Sequence, residues 1–280
     1  MKPLKKKQHY IWKNYLKPWT VRGQICCKRL DSKFKSSLER IGQQRFFYES
    51  EPLTEFEYNY LKYFIHKIFP KNNVNLYTIL ELYNTTANSK NMYEKKCGIE
   101  DVHTIIEGNA IKILEKIYCE DLSFFDNLQE KESFSLFVGI QYTRTNKMRM
   151  NLKNINLVTP NLNMDKLSKI FYLFFGDVVR QWILGQSKIC LFINSSDLNL
   201  ITGDQPIINI KANPNENSPV KEFELYYPIS PKYAIFLSNR LEGKMEITKE
   251  QVIEYNRLIK DHSIEQLYAK TMNCFDNLKD

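Results

Sequence analysis

The chain has 280 residues, 43% hydrophobic and 26% charged, with only 9 Gly and 10 Pro. That composition excludes a disordered chain and a collagen-like repeat, and the length suffices to bury a core without metals or disulfides. The formal net charge of +8 is uneven: residues 1–35 hold 11 Lys or Arg against the single acid Asp31, whereas the other 245 residues hold 29 basic and 31 acidic ones.

In chain order, the basic N-terminal segment interleaves Tyr10, Trp12, Tyr15 and Trp19 with Lys5, Lys6, Lys7, Lys13 and Lys17. Lysines meet phosphates and exposed rings stack on bases, so Lys7, Tyr10, Lys13 and Lys17 are candidate substrate contacts. The alternative is an amphipathic turn whose rings pack inward. Residues 20–34 predict a hairpin that turns at Arg22-Gly23-Gln24, with Val21, Ile25 and Cys27 on one face. Phe46-Phe47-Tyr48 is expected to be extended. Thr54 and Glu57 have capping-box spacing, opening a helix that runs to about Phe69 and stops at Pro70. Apolar periodicity predicts helices near 74–96, 100–119 and 130–149. Residues 163–186 are apolar nearly all round, as in a buried central helix. Short strands follow at 188–193, 198–202, 206–210, 222–227 and 233–237, with a polar Asn- and Pro-rich loop over 211–221. A last amphipathic helix is expected over about 249–273. The class is α+β, read as one domain: a basic N-terminal segment with hairpin (1–50), a helical part (54–187), antiparallel strands (188–240) and a final helix (249–274).

No segment reaches the roughly 20 apolar residues of a bilayer span, and no signal-peptide pattern follows the basic start. The six cysteines lack C-x-x-C spacing, which fits reduced thiols in the cytoplasm. The adjacent Cys26 and Cys27 would face opposite sides of a strand. Phosphate-binding glycine loops, the G-x-S-x-G elbow and H-E-x-x-H are missing. The four His are dispersed, so no cofactor and no metal-ligand spacing is indicated, although a divalent ion at Asp204 stays open.

The informative residues are polar ones in apolar company. Gln141 and Arg144 share a face of the 130–149 helix, and an inward Arg needs a carboxylate or a phosphate. Asp204, in the turn Thr202-Gly203-Asp204-Gln205-Pro206, is the leading carboxylate. Glu107, in line with Glu100 and His103, is a second acid or part of a solvated face. Asn256 falls in the apolar stripe of the last helix and is expected to brace it. His9 is a candidate general acid/base.

Taken together, Gln8-His9-Tyr10 with Tyr15-Leu16-Lys17, Phe46-Phe47-Tyr48-Glu49, Gln141-Tyr142-Thr143-Arg144-Thr145, the Asp204-Gln205-Pro206 turn, Pro228-Ile229-Ser230-Pro231 and Asn256 resemble the bacterial domain-of-unknown-function family 4238. Two departures stand out. The family's His-Tyr-Val-Pro is here His9-Tyr10-Ile11-Trp12, and Gly203 splits the family's Ser/Thr-Asp pair, with consequences for how Asp204 points. The resemblance supplies positions but no reaction.

Three functions are consistent with these residues. The first is a nuclease-like enzyme, a toxin or phage-defence effector. In it His9 is acid/base, Arg144 holds the phosphate, Gln141 orients it, Asp204 fixes the imidazole, and nucleic acid is the partner. The second is a non-enzymatic nucleic-acid-binding or sensing module in which Gln141, Arg144 and Asp204 form a structural network. The third is an enzyme acting on a small phosphorylated substrate.

Overall fold

The computed structural model describes residues 2–30, 32–69, 73–153, 162–212 and 222–278. The N-terminal part forms β1 (Lys7–His9), the short helix α1 (Lys13–Leu16), β2 (Gln24–Arg29), β3 (Ser32–Ser37) and β4 (Gln43–Arg45). A helical layer follows: α2 (Glu55–Ile68), α3 (Val74–Asn88), α4 (Met92–Tyr118), α5 (Leu128–Thr143), α6 (Asn146–Lys153) and α7 (Met164–Gln186). The C-terminal part contains β5 (Lys188–Asn194), β6 (Thr202–Gly203), β7 (Ile208–Asn209), β8 (Leu225–Pro228), β9 (Tyr233–Ser238), β10 (Gly243–Ile247), α8 (Lys249–His262) and β11 (Leu267–Ala269). The class is α+β.

Three sheets hold the strands. β1 pairs with β4 in an antiparallel ribbon, His9 opposite Gln43 and Lys7 opposite Arg45. A four-stranded sheet runs β3-β2-β11-β6, joining both ends of the chain, and a five-stranded sheet runs β10-β5-β9-β8-β7. The larger sheet is mixed, because β10 lies parallel to β5. The strand expectation was purely antiparallel and omitted β10 and β11.

The predicted capping box is present: the Thr54 hydroxyl accepts from the Glu57 amide at 3.2 Å, and the Glu57 carboxylate accepts from the Thr54 amide at 2.8 Å. α7 is the buried centre, with Leu167, Ile170, Phe174 and Ile183 fully enclosed. It crosses α5 at Gly139 and Gly176. A Cβ on Gly139 would lie 2.2 Å from the Gly176 carbonyl oxygen, so only glycine permits this approach.

Several boundaries differ from the sequence expectation. Within 74–96 the helix breaks after Asn88, where the Asn91 side chain accepts from the Tyr93 amide at 2.9 Å and starts α4. The 130–149 helix is two helices, α5 and α6, because Arg144 and Thr145 leave the helical path to form side-chain bonds. The final helix stops at His262 instead of 273, and the chain returns as β11. The hairpin turn lies between β2 and β3. Arg22 and Gly23, both at positive φ, make a tighter bend inside the Val21–Gln24 bridge. Val21 is 46% exposed, whereas Ile25 and Cys27 are buried as expected. Cys26 and Cys27 do face opposite ways, into different apolar clusters. Phe46 has φ 49° and opens a turn over 46–48, not an extended segment. Of the expected polar loop, residues 213–221 lie outside the described residues, as does Pro70.

Candidate functional site

The basic start folds inward through its rings. Tyr10, Trp12, Tyr15 and Trp19 are all buried. Tyr15 donates its hydroxyl to the Pro228 carbonyl at 2.7 Å, and the Trp19 indole donates to the Leu200 carbonyl at 2.9 Å. Tyr10 packs against Phe47 with ring centroids 5.3 Å apart, so its face is not offered for base stacking. The lysines part ways: Lys7 and Lys17 are exposed, and Lys13 pairs with Glu39 at 2.8 Å.

β1 carries the first polar residues of the site because its alternation sends Gln8 inward and leaves His9 half-buried. The Gln8 amide spans two segments. It donates to the Lys96 carbonyl and accepts from the Tyr48 amide, both at 2.7 Å. His9 Nε2 lies 3.3 Å from the Leu38 carbonyl. Burial, reinforced by Lys13, pulls the His9 pKa down to about 4. The imidazole is therefore neutral at pH 7.

Across from β1, successive turns of α4 present Glu100, His103 and Glu107 on one face. Arg144, at the end of α5, is 2% exposed. Its Nη2 donates to Glu107 Oε1 and to Gln141 Oε1, both at 2.7 Å. Gln141 in turn donates to the Tyr10 carbonyl at 3.2 Å. The charge of the inward Arg is thus paired by Glu107, the second candidate acid. Burial opposes its charge, but Tyr48, Glu107 and Glu100 outweigh that, and the Arg144 pKa is raised. His103 is enclosed, with Nε2 3.2 Å from the Tyr172 hydroxyl and its ring against Tyr48. Desolvation, aided by Arg144, lowers its pKa to about 3. Glu100 is raised to about 7 by burial; Arg144, Lys5 and the His9 backbone N–H hold it in the other direction.

Asp204 does not join this cluster. Its carboxylate accepts from the amides of Ile264, Glu265 and Gln266 at 2.9, 2.6 and 3.1 Å. Burial nonetheless raises its pKa, outweighing those three bonds. Its oxygens clamp the loop between α8 and β11, and the expected bond from Asp204 to the His9 ring is not formed: the His9 Nε2 contact is with the Leu38 carbonyl. Gly203 is explained by the same clamp, because a Cβ there would lie 1.9 Å from Ser263 Oγ. Asn256 braces as expected, accepting from Ile201 N and donating to the Asn199 carbonyl, each at 2.9 Å. Among the described residues no group of three His, Cys, Asp or Glu is arranged to hold a metal ion.

The sequence model of a family described as a protein of unknown function (DUF4238) matches residues 7–183 and 175–273. The chain belongs to the DUF4238 family. Searches of curated proteins and of solved structures found no match. In this DUF4238 member the stretch 141–145 works as a knot. Gln141 reaches Tyr10 just past β1, Thr143 donates to the Tyr172 carbonyl on α7 at 2.7 Å, Arg144 reaches α4, and Thr145 bonds Gln205 beside the Asp204 clamp.

Residues that sequence reasoning did not select are Gln8, Tyr48, Glu100, His103 and Tyr172. Glu100 and His103 carried a signal, their spacing with Glu107, but a charged helix face is usually solvated. Tyr48 and Tyr172 look like ordinary core aromatics in sequence. Among the described residues no helix is long and apolar enough to cross a membrane.

Proposed function

We propose that the chain is a nucleic-acid-directed enzyme of nuclease type. His9 is the general base and Glu100 the general acid. The observation that carries this is that the two residues adjoin through the His9 backbone and hold opposite protonation states. The His9 backbone N–H faces the Glu100 carboxylate, one ring nitrogen is tied to Leu38, and the two pKa values, about 4 and about 7, lie in reversed order. A neutral imidazole and a carboxyl that keeps its proton near neutrality are the states a base and an acid need at pH 7. In the proposed step His9 Nδ1 takes the proton of an attacking hydroxyl or water. A new P–O bond forms, the leaving P–O bond breaks, and Glu100 returns a proton to the departing oxygen. Arg144 supplies positive potential from within the cluster.

The choice of an anionic polymer rests on the β1–β4 ribbon. Lys6, Lys7 and Arg45 are exposed there beside His9, and Lys7 and Arg45 are cross-strand partners. The six free thiols fit a reducing cytoplasm. A nuclease acting there would serve as a toxin or antiviral effector, and that role belongs to the same proposal.

The test incubates the full chain with labelled RNA, single-stranded DNA and duplex DNA, in magnesium, manganese or EDTA, beside His9→Ala and Glu100→Gln. Cleavage lost in both variants while their melts stay native is the expected result. Cleavage that survives both variants, or is absent throughout, overturns the assignment.

A second reading, a non-enzymatic nucleic-acid-binding module, is favoured by one observation: Arg144 Nη2 is spent between Glu107 and Gln141, and the space beside Arg144 is only about 10 Å³. It predicts salt-dependent binding that His9→Ala preserves and that Lys7→Glu with Arg45→Glu weakens.

A further inference from the structure

A small chamber lies beside the cluster, between the 46–48 turn, the end of α5, α6 and α7. Phe47, Tyr48, Arg144, Arg149, Lys169 and Tyr172 form most of its wall. It leaves about 10 Å³ in which the centre of a water-sized group can sit, room for one small guest. Two guanidinium groups line it with unspent donors. Arg144 Nε and Arg149 Nε are both buried and have no acceptor among the described residues. A buried N–H without a partner is costly, and two beside one chamber call for a shared acceptor.

The charges around the chamber say what kind. Arg144 is balanced by Glu107, and Lys169 by Glu51. Arg149 donates Nη1 to the Phe47 carbonyl at 3.1 Å and lies 4.8 Å over the Phe47 ring, with no carboxylate in ion-pair range among the described residues. The wall therefore keeps one positive charge in excess, beside the buried rings of Phe47, Tyr48 and Tyr172. The hydroxyls that line it are already committed as donors: Thr143 to the Tyr172 carbonyl and Ser168 to the Asp165 carbonyl. One unpaired positive charge matches a monovalent anion better than a doubly charged phosphate or sulfate.

We propose that the chamber binds one small monovalent inorganic anion, a halide, held by Arg144 Nε–H and Arg149 Nε–H. The anion neutralises the Arg149 charge and ties the 46–48 turn to α6 and α7. This site is independent of whether the neighbouring cluster catalyses a reaction.

The test compares urea unfolding midpoints of the full chain in sodium chloride, sodium bromide and sodium gluconate at equal ionic strength. A halide that binds only the folded state raises the midpoint as a saturable function of its concentration, with a limiting linkage of one anion per chain. That rise is expected in chloride and bromide, absent in gluconate, and lost in Arg149→Gln. Arg149→Lys keeps the charge without the Nε–H and is expected to weaken the response at least tenfold in halide concentration, which covers the case of Arg149→Gln failing to fold. Crystals grown in bromide should show an anomalous peak within hydrogen-bond distance of both Nε atoms. Equal midpoints in chloride and gluconate overturn the proposal. So does a chloride shift that persists unchanged in the Arg149 variants, which is a general salt effect, or a peak without anomalous signal on the two Nε atoms, which is a bound water.

Discussion

Removing the Glu107 carboxylate tests whether the Arg144 pair anchors this part of the fold. The Arg144 side chain is 1% exposed, the Glu107 side chain 16%, and their contact is 2.7 Å. Two unit charges about 4 Å apart at an effective dielectric near 20 attract by about 4 kcal/mol. Breaking such a pair from one side leaves a buried charge uncompensated, at a cost of roughly 3–5 kcal/mol. The partial exposure of Glu107 places Glu107→Leu near the lower end, about 3 kcal/mol. At roughly 2 °C per kcal/mol for a chain of this size, the melt should fall by about 6 °C. Arg144→Met should cost less, because a carboxylate at the edge of solvent can hydrate. The double variant Glu107→Leu with Arg144→Met should recover to within about 1 kcal/mol of the wild type, since an apolar pair of similar volume replaces the ion pair. The assay is urea denaturation of all four proteins, closed as a double-mutant cycle. Single-variant losses that simply add, within about 0.5 kcal/mol, would mean that Glu107 and Arg144 are uncoupled and that the account of the buried guanidinium is wrong.

Three further predictions follow from the same geometry. Asp204→Asn keeps the shape but has one oxygen where three amides are bound, so it should cost about 1–3 kcal/mol and speed hydrogen exchange at 264–266; unchanged exchange there would refute the clamp. Gly139→Ala sets a Cβ 2.2 Å from backbone that cannot swing aside, so α5 and α7 must separate and stability should fall by about 3 kcal/mol; a native melt would refute the close crossing. Glu100 is raised to about 7 from 4.5, so the folded state holds its proton over that range and the unfolded state does not. Its stabilisation is fully present below pH 4.5 and is lost as pH rises through 7. The stability of Glu100→Gln relative to wild type should therefore climb between pH 4.5 and 7 and level off above; a difference that is flat with pH would contradict the buried, protonated carboxyl.

What the sequence determined by itself is local. Thr54 with Glu57 placed the start of α2, because a capping box uses only neighbouring atoms. The apolar girth of 163–186 announced a buried helix, and the α+β class followed from helical periodicity giving way to short strands. An inward Arg144 demanded a carboxylate, since no lone guanidinium is buried cheaply. Which carboxylate answered was beyond sequence, because Glu107 and Asp204 both qualified and only the packing of α4 against α5 chose between them. The break at Arg144 and the early end of α8 were hidden for the same reason. In each case a side-chain bond to a distant segment, Thr145 to Gln205 or Asp204 to 264–266, overrides a periodicity that would have continued the helix. The basic start shows the limit most plainly. Its lysines and its rings alternate in sequence as a nucleic-acid surface does, yet Tyr15 and Trp19 found buried acceptors on Pro228 and Leu200, more than 180 residues away. Only tertiary structure decides whether an aromatic faces solvent or core, because burial of a ring is settled by whatever lies across from it.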